Sequence, residues 1–241
     1  MALVGKHTSW LALIGTGLAF GGTLEVTIVD SAQNGRPTPA RVYLTDAKGN
    51  FLRPEGVIAY ERERFGFAER HFVPPSGRFR VELPEGSYFL EVEKGKEYIP
   101  VRRRVRVREQ GRTLIRIVLE RWGDAVSLGW YSGDLHLHRP LRDTPTLMEA
   151  EDLNVTTPIT RWRYANEPVR VDPDLDKYLA AAQPDAAYHI SERRLFLVVN
   201  EELEPPEAAI LTHGWTQPES ELQYPLLRYA ERARAHGAVV D

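Results

Sequence analysis

The strongest constraint on the fold is a series of short segments in which apolar and polar residues alternate. They occupy residues 24–29, 40–45, 77–83, 87–93, 100–107 and 113–119. A period of two residues places alternate side chains on opposite faces of a β-strand, so each segment is typical of a strand with one buried face. Clusters rich in Gly, Asp, Asn and Lys separate the segments and favour turns. This spacing predicts an antiparallel β-sandwich over residues 23–121.

The pattern changes after residue 121, where helical and strand-like segments alternate. Residues 146–153 and 225–236 have helical spacing, and residues 193–200 form a continuous apolar run typical of a buried parallel strand. Further strands are expected at residues 208–212 and 238–241. The alternation predicts an α/β domain over residues 122–241. Because no helix follows its last strand, we expect this domain to be partial or completed by another segment. The predicted fold class is therefore α+β multidomain.

The N-terminal residues 1–22 have the organisation of an export signal. One lysine precedes an apolar stretch at residues 10–20, and the small residues Gly21 and Gly22 follow. The apolar stretch is too short to span a membrane. The pattern predicts a signal peptide and a periplasmic or secreted protein. A first strand or helix of the mature fold is the alternative.

Charge and composition exclude several classes of function. The net charge of −3 argues against a general nucleic-acid binder, which needs a basic surface. The chain has no cysteine, so disulfides and thiolate metal sites are excluded, and any metal must be held by histidine and carboxylate. The arginines at positions 102–104, 106 and 108 are interpreted as a solvated face of the sandwich. The sequence does not indicate an oligomeric state.

A histidine pair is the feature with the clearest chemistry. His136 and His138 are separated by Leu137 in the segment Asp134–His138. On a strand both imidazoles would lie on one face, with Leu135 and Leu137 on the buried face behind them. Two adjacent imidazoles on a rigid strand form a bidentate metal clamp. The alternative is a half-buried strand whose polar face happens to carry histidines.

Three further side chains at predicted strand or loop ends could join this pair. They are Asp143, Glu202 or its neighbour Glu201, and His213. Ligands of parallel α/β sheets bind at the carboxyl ends of strands, so these groups could converge there. Each also has a structural explanation: Asp143 as a turn or helix N-cap, Glu202 as a surface charge, and His213 as a strand-end residue.

The predicted sandwich resembles the carboxypeptidase-regulatory, or transthyretin-like, family. The matching positions are Gly35, Pro37, Pro39, Val42, Asp46, Gly49, Phe79, Leu83, Gly86 and Tyr88. The resemblance covers about 100 residues and concerns the fold. Such modules are usually accessory to another domain.

The segment Gly133–His138, followed by Asp143, resembles the first motif of the PHP (polymerase and histidinol phosphatase) metal-dependent hydrolases, in particular the CehA/McbA-like branch. The resemblance implies a distorted β/α barrel holding zinc, manganese or iron. It implies His136, His138, Asp143, Glu202 and His213 as metal ligands, with Glu201 as the substitute for Glu202 if the register is shifted by one. It also implies hydrolysis of an ester, carbamate or phosphoester of a small-molecule substrate by a metal-activated water.

The sequence departs from this family at two places. The Asp-His expected near residues 160–162 is replaced by Thr160-Arg161-Trp162, and the family's later histidine ligands would lie beyond Asp241. These departures favour an alternative: an exported, non-catalytic binding protein with a degenerate barrel that retains a mononuclear metal site or none.

Overall fold

The computed structural model describes residues 21–60, 63–64, 67–68, 70–165, 167–182, 186–206, 208–215 and 225–241. The predicted signal peptide lies outside these residues, except for Gly21 and Gly22, which begin the first strand. The signal peptide and the domain boundaries therefore stay predictions.

The first half of the described chain is built of β-strands. They are β1 (Gly21–Asp30), β2 (Arg36–Pro37), β3 (Arg41–Asp46), β4 (Ile58–Ala59), β5 (Glu63–Arg64), β6 (Phe67–Ala68), β7 (Phe72–Val73), β8 (Arg78–Pro84), β9 (Gly86–Glu93), β10 (Val101–Val107) and β11 (Arg112–Leu119). A short 3-10 helix, Ser31–Gln33, follows β1. All six alternating segments of the sequence are thus confirmed as strands.

Nine of these strands form two sheets that share one core, while β5 and β6 pair with each other in a separate two-stranded sheet. In the first sheet β1 lies in the centre and pairs with β11 on one side. On its other side it pairs first with β8, along Gly21–Thr27, and then with β2, at Val29 and Asp30. The second sheet has the order β10-β9-β3-β7-β4. Fully buried side chains of both sheets, such as Ile28, Leu44 and Leu90, pack between them. The sandwich is only partly antiparallel, because β1 and β11 run parallel.

The second half of the described chain also consists mainly of strands. They are β12 (Gly133–Leu137), β13 (Val155–Pro158), β14 (Arg161–Tyr164), β15 (Arg170–Val171), β16 (Ala187–Ser191), β17 (Arg194–Leu197), β18 (Asn200–Glu204), β19 (Ile210–His213) and β20 (Val239–Val240). The α-helices of the described residues are α1 (Thr144–Ala150), α2 (Leu175–Ala181) and α3 (Leu226–Ala235), and a 3-10 helix spans Ala125–Leu128. None of these helices is long and apolar enough to cross a membrane.

The predicted α/β domain, and with it the α+β fold class, is wrong. The strands form two mixed sheets, β12-β13-β17-β16 and β15-β14-β18-β19-β20, in place of a β/α barrel. The apolar run at residues 193–200 is not one parallel strand: it is divided between β17 in one sheet and the start of β18 in the other. Strand pairs β16–β17 and β18–β19 are antiparallel neighbours, so no crossover helix is needed between them. The final strand β20 is likewise antiparallel to β19.

Polar contacts join the sandwich to the sheets that follow it. The side chain of Asp152 accepts from Arg121 at 2.5 Å and from Arg194 at 2.6 Å. The guanidinium of Arg41 lies 2.7 Å from the Glu151 carboxylate. These ion pairs lie between the sandwich core and the separate cores of the second half.

Replacing Asp152 by Asn is expected to lower the free energy of unfolding by about 2 kcal/mol, because Arg194 loses its carboxylate partner in a largely buried position. The backbone φ of 53° at this position is one that Asn also tolerates, so the change tests the charge. Urea unfolding measures the loss. The matched control is Asp124→Asn, whose exposed pair with Arg193 at 3.6 Å should contribute little. Equal losses in the two variants would contradict a special role for Asp152.

Candidate metal centre

The histidine pair lies at the edge of a sheet. Strand β12 carries His136 and pairs with β13 alone among the described strands, and His138 follows directly after its end. The Nε2 atoms of the two imidazoles are 3.1 Å apart. The expectation of a buried face behind them is wrong, because Leu135 is 57% exposed. The backbone N–H of His136 donates to the Asp134 carboxylate, which fixes the local turn of the chain.

Glu202 approaches this pair from the other sheet of the second half. It lies on β18 between Trp162 of β14 and Leu211 of β19, and is only 3% exposed. Its Oε1 is 3.1 Å from Nε2 of His136, and its Oε2 is 2.8 Å from Nε2 of His138. Although Oε2 lies close to His138, it has no hydrogen-bond donor among the described residues.

The geometry of these donors matches the requirements of a metal ion. His136, His138 and Glu202 each offer a ligand atom, and these atoms lie within 4.8 Å of one another. A tetrahedral site with bonds of about 2.0 Å has ligand–ligand edges of about 3.3 Å. The 3.1 Å between the two Nε2 atoms is close to such an edge, and each Nε2 has one oxygen of Glu202 within 3.1 Å. Both imidazoles are about half exposed, so solvent or a ligand can reach a fourth position.

His213 lies near this centre but outside the three-residue group. The register pairs it with Asn200, so it shares the sheet face of Glu202. It is 5% exposed, and its Nδ1 has no hydrogen-bond partner among the described residues. Burial lowers the pKa of this imidazole, with the Asp241 carboxylate acting in the opposite direction. Its role as a ligand stays a prediction.

The structure places Asp143 elsewhere. It precedes α1 at the N-cap position, without a side-chain bond to the helix. Its Oδ2 accepts a 2.6 Å hydrogen bond from the hydroxyl of Tyr60, a residue that follows β4. Burial, together with this carboxylate, raises the pKa of the Tyr60 phenol. Asp143 is therefore not brought together with the histidines.

Glu201 points to the opposite face of its sheet and is 1% exposed. Tyr229 of α3 donates to its carboxylate, and Arg161 lies 3.5 Å away. Burial raises the pKa of this carboxyl group. Glu201 thus belongs to the packing of α3 against the sheet, and Glu202 is the residue that faces the histidines.

Trp162, which occupies the position of the missing Asp-His, contacts the site directly. Its ring packs edge-on against His138 with centroids 5.3 Å apart, and its Nε1 donates to Glu204 at 2.7 Å. Its observed position holds the imidazole of His138 in place.

A cleft of about 540 Å³ adjoins His136. It lies between the sandwich and the second half, and its walls include Arg41, Glu93, Lys96 and Asp241. A ligand bound in this cleft could reach the exposed side of the candidate centre.

No family model matches the chain, and no curated protein matches it significantly. Among solved structures, it is similar to a minor pilin of Streptococcus agalactiae, with 17% identity, a TM-score of 0.32, and 43% of this chain and 46% of the pilin covered. It is similar to the major pilin subunit of Bacillus cereus, with 21% identity, a TM-score of 0.30, and 42% and 30% covered. A 3-chlorocatechol 1,2-dioxygenase from Rhodococcus opacus matches with 10% identity, a TM-score of 0.26, and 42% and 59% covered. The matched part spans less than half of either pilin.

The observed fold corrects the resemblance to the PHP hydrolases, and with it the expected pairing of that family with an accessory sandwich. The described residues 133–241 form two mixed sheets with short helices, whereas that family requires a β/α barrel. The classification as a hydrolase, which depended on that barrel, is therefore wrong as well.

Proposed function

We propose that this chain is an exported binding protein that holds one divalent transition-metal ion through His136, His138 and Glu202. The observation that carries the proposal is the position of the buried Glu202 carboxylate, whose two oxygens face two imidazole nitrogens at 3.1 and 2.8 Å. Export rests on the N-terminal pattern of residues 1–22. The small molecule expected from the sequence would bind in the cleft beside His136.

A metal ion accounts for this cluster better than hydrogen bonding alone. A buried carboxylate without a hydrogen-bond donor on one oxygen is costly. A hydrogen bond between the two Nε2 atoms, which lie 3.1 Å apart, does not supply Oε2 of Glu202 with a donor. A divalent cation between the three groups would neutralise the carboxylate and accept both imidazole lone pairs.

The set of two histidines and one carboxylate suits zinc, iron and manganese. Affinity for such a nitrogen and oxygen site generally increases from manganese to iron to zinc. We therefore expect zinc to bind most tightly when the three ions are compared at equal concentration.

Titration of chelator-treated protein with zinc is expected to show about one tightly bound equivalent per chain. Competition with a chromogenic chelator gives the affinity, and metal analysis after dialysis gives the stoichiometry. Less than about a tenth of an equivalent of zinc, iron or manganese would contradict the proposal. Two equivalents would contradict its mononuclear form.

A further inference from the structure

Strand β10 carries a row of exposed arginines that the metal centre does not use. Arg102, Arg104 and Arg106 occupy alternate positions of the strand, and Arg108 continues the row beyond its end. The buried Val105 and Val107 point to the core between them. Alternate residues of a strand are about 6.8 Å apart, so the backbone positions of the four arginines span about 20 Å.

This row lies beside an aromatic surface on the same face of the sheet. The register places Arg104 opposite Phe89 and Arg102 opposite Glu91, and Glu91 in turn lies opposite Tyr43. The guanidinium of Arg104 is 5.2 Å from the centroid of the Phe89 ring, which is 45% exposed. A depression of about 420 Å³ covers this face and includes the side chains of Tyr43 and Phe89 in its wall.

The acids near these arginines are Glu85, Glu91 and Glu93, of which Glu91 and Glu93 line the same depression. Arg102 pairs with Glu91 at 2.6 Å and Arg106 approaches Glu85 at 3.9 Å, while both arginine side chains remain more than 70% exposed. Exposed pairs of this kind contribute little free energy. An anionic ligand with several charges can therefore compete for these groups.

We infer that the outer face of β3, β9 and β10 binds a linear anionic glycan. Guanidinium groups donate two parallel hydrogen bonds to a sulfate or carboxylate group, and their regular row suits a ligand that carries charges along one chain. The ring of Tyr43 offers rigid apolar contact area for a sugar ring, whereas the face of Phe89 is already occupied by Arg104. Single-stranded nucleic acid fits less well, because it requires free aromatic faces for stacking and Arg104 already lies over Phe89.

Heparin is the probe for this surface, and fluorescence polarisation with a labelled fragment measures its binding. The triple variant Arg104→Gln, Arg106→Gln, Arg108→Gln is expected to bind about tenfold more weakly than the unchanged protein. A charge-matched control replaces Arg36, Arg78 and Arg116 with Gln; these arginines are exposed on the other sheet of the sandwich. The control should bind heparin within about twofold of the unchanged protein.

Three results would overturn the inference. Equal losses of affinity in the two triple variants would show that heparin is attracted by the overall charge of the protein. If the unchanged protein does not bind heparin, the role of the arginines is to prevent the edge strand β10 from pairing with other chains. If the protein binds an oligothymidylate of the same total charge as tightly as heparin, the surface does not select a glycan and nucleic acid becomes the better candidate ligand. Thermal unfolding of each variant verifies that the substitutions, all at exposed positions, leave the sandwich intact.

Discussion

Replacing His136 by alanine is expected to weaken zinc binding by about a hundredfold or more, because only two protein ligands, His138 and Glu202, then remain to bind the ion. Glu202→Gln should produce a loss of similar size, since the amide keeps the shape of the side chain but not its charge. Zinc titration of the purified variants, in competition with a chelator, measures both effects.

The control for this prediction is His189→Ala. His189 is an exposed histidine on β16 and belongs to no metal-binding group of the described residues. Its removal should leave zinc affinity unchanged. Because His136 is also well exposed, its substitution should not unfold the chain, and circular dichroism can verify this. Wild-type affinity in His136→Ala would exclude the cluster as the metal site.

The second large effect concerns Lys94, a lysine that is only 1% exposed. Its ammonium donates to Thr38 Oγ1 at 2.9 Å, to the Pro39 carbonyl at 3.2 Å, and to the Glu149 carbonyl at the end of α1. Burial lowers the pKa of Lys94 to about 8. The carboxylates that face it are those of Glu149, Asp152 and Asp30, and Arg194 is the nearby cation.

Since the pKa of Lys94 is lower in the folded chain than in the unfolded chain, the unfolded chain binds more protons between pH 8 and about 10.5. The contribution of Lys94 to the free energy of unfolding should therefore increase across this range, by up to about 3 kcal/mol. Below pH 8 the charged lysine is present in both states, and its contribution stays constant.

Comparison with Lys94→Met isolates this contribution, because tyrosines also titrate in the alkaline range. The difference in unfolding free energy between the unchanged protein and Lys94→Met should change between pH 8 and 10.5, as measured by urea unfolding. Lys96→Met, two residues away at an exposed position, should give a constant difference. A constant difference for Lys94→Met would mean that its ammonium is not desolvated in the folded chain.

The sandwich could be predicted from the sequence because each strand has its own signal. Alternation in residues 24–29 or 87–93 depends only on neighbours along the chain, and the buried residues of β1 and β9 follow it. The parallel pairing of β1 with β11 could not be predicted, because it joins the first and last strands of the sandwich and does not alter the alternation of apolar and polar residues in either strand.

The second half shows where local patterns fail. The apolar run at residues 193–200 has the length and composition of one buried strand, but the chain changes sheets within it, after Leu197. The side chain of Asn200 donates to the Leu197 and Pro158 carbonyls and holds this bend. Such contacts depend on distant residues, so the helical connections of an α/β domain were expected in place of the observed hairpins.

The sequence could predict the part of the candidate site whose residues lie close together along the chain. The two histidines are two residues apart, and the structure brings them together with Glu202, one of the three further residues that the sequence singled out. The position of Asp143 depends on Tyr60 from the sandwich, which is 83 residues away along the chain. No local sequence pattern predicts that contact, and none predicts that Trp162 packs against His138.

The sheet membership of the three candidate ligands has a mechanical consequence. The histidines belong to the edge strand β12, whereas Glu202 belongs to the neighbouring sheet, so a bound ion would close a loop of roughly 60 residues as a crosslink does. Such a closure reduces the freedom of the unfolded chain and opposes fraying of β12 in the folded one. Amide hydrogen exchange in Gly133–Leu137 should then slow markedly on addition of zinc, while exchange in the strands of the sandwich core should not change.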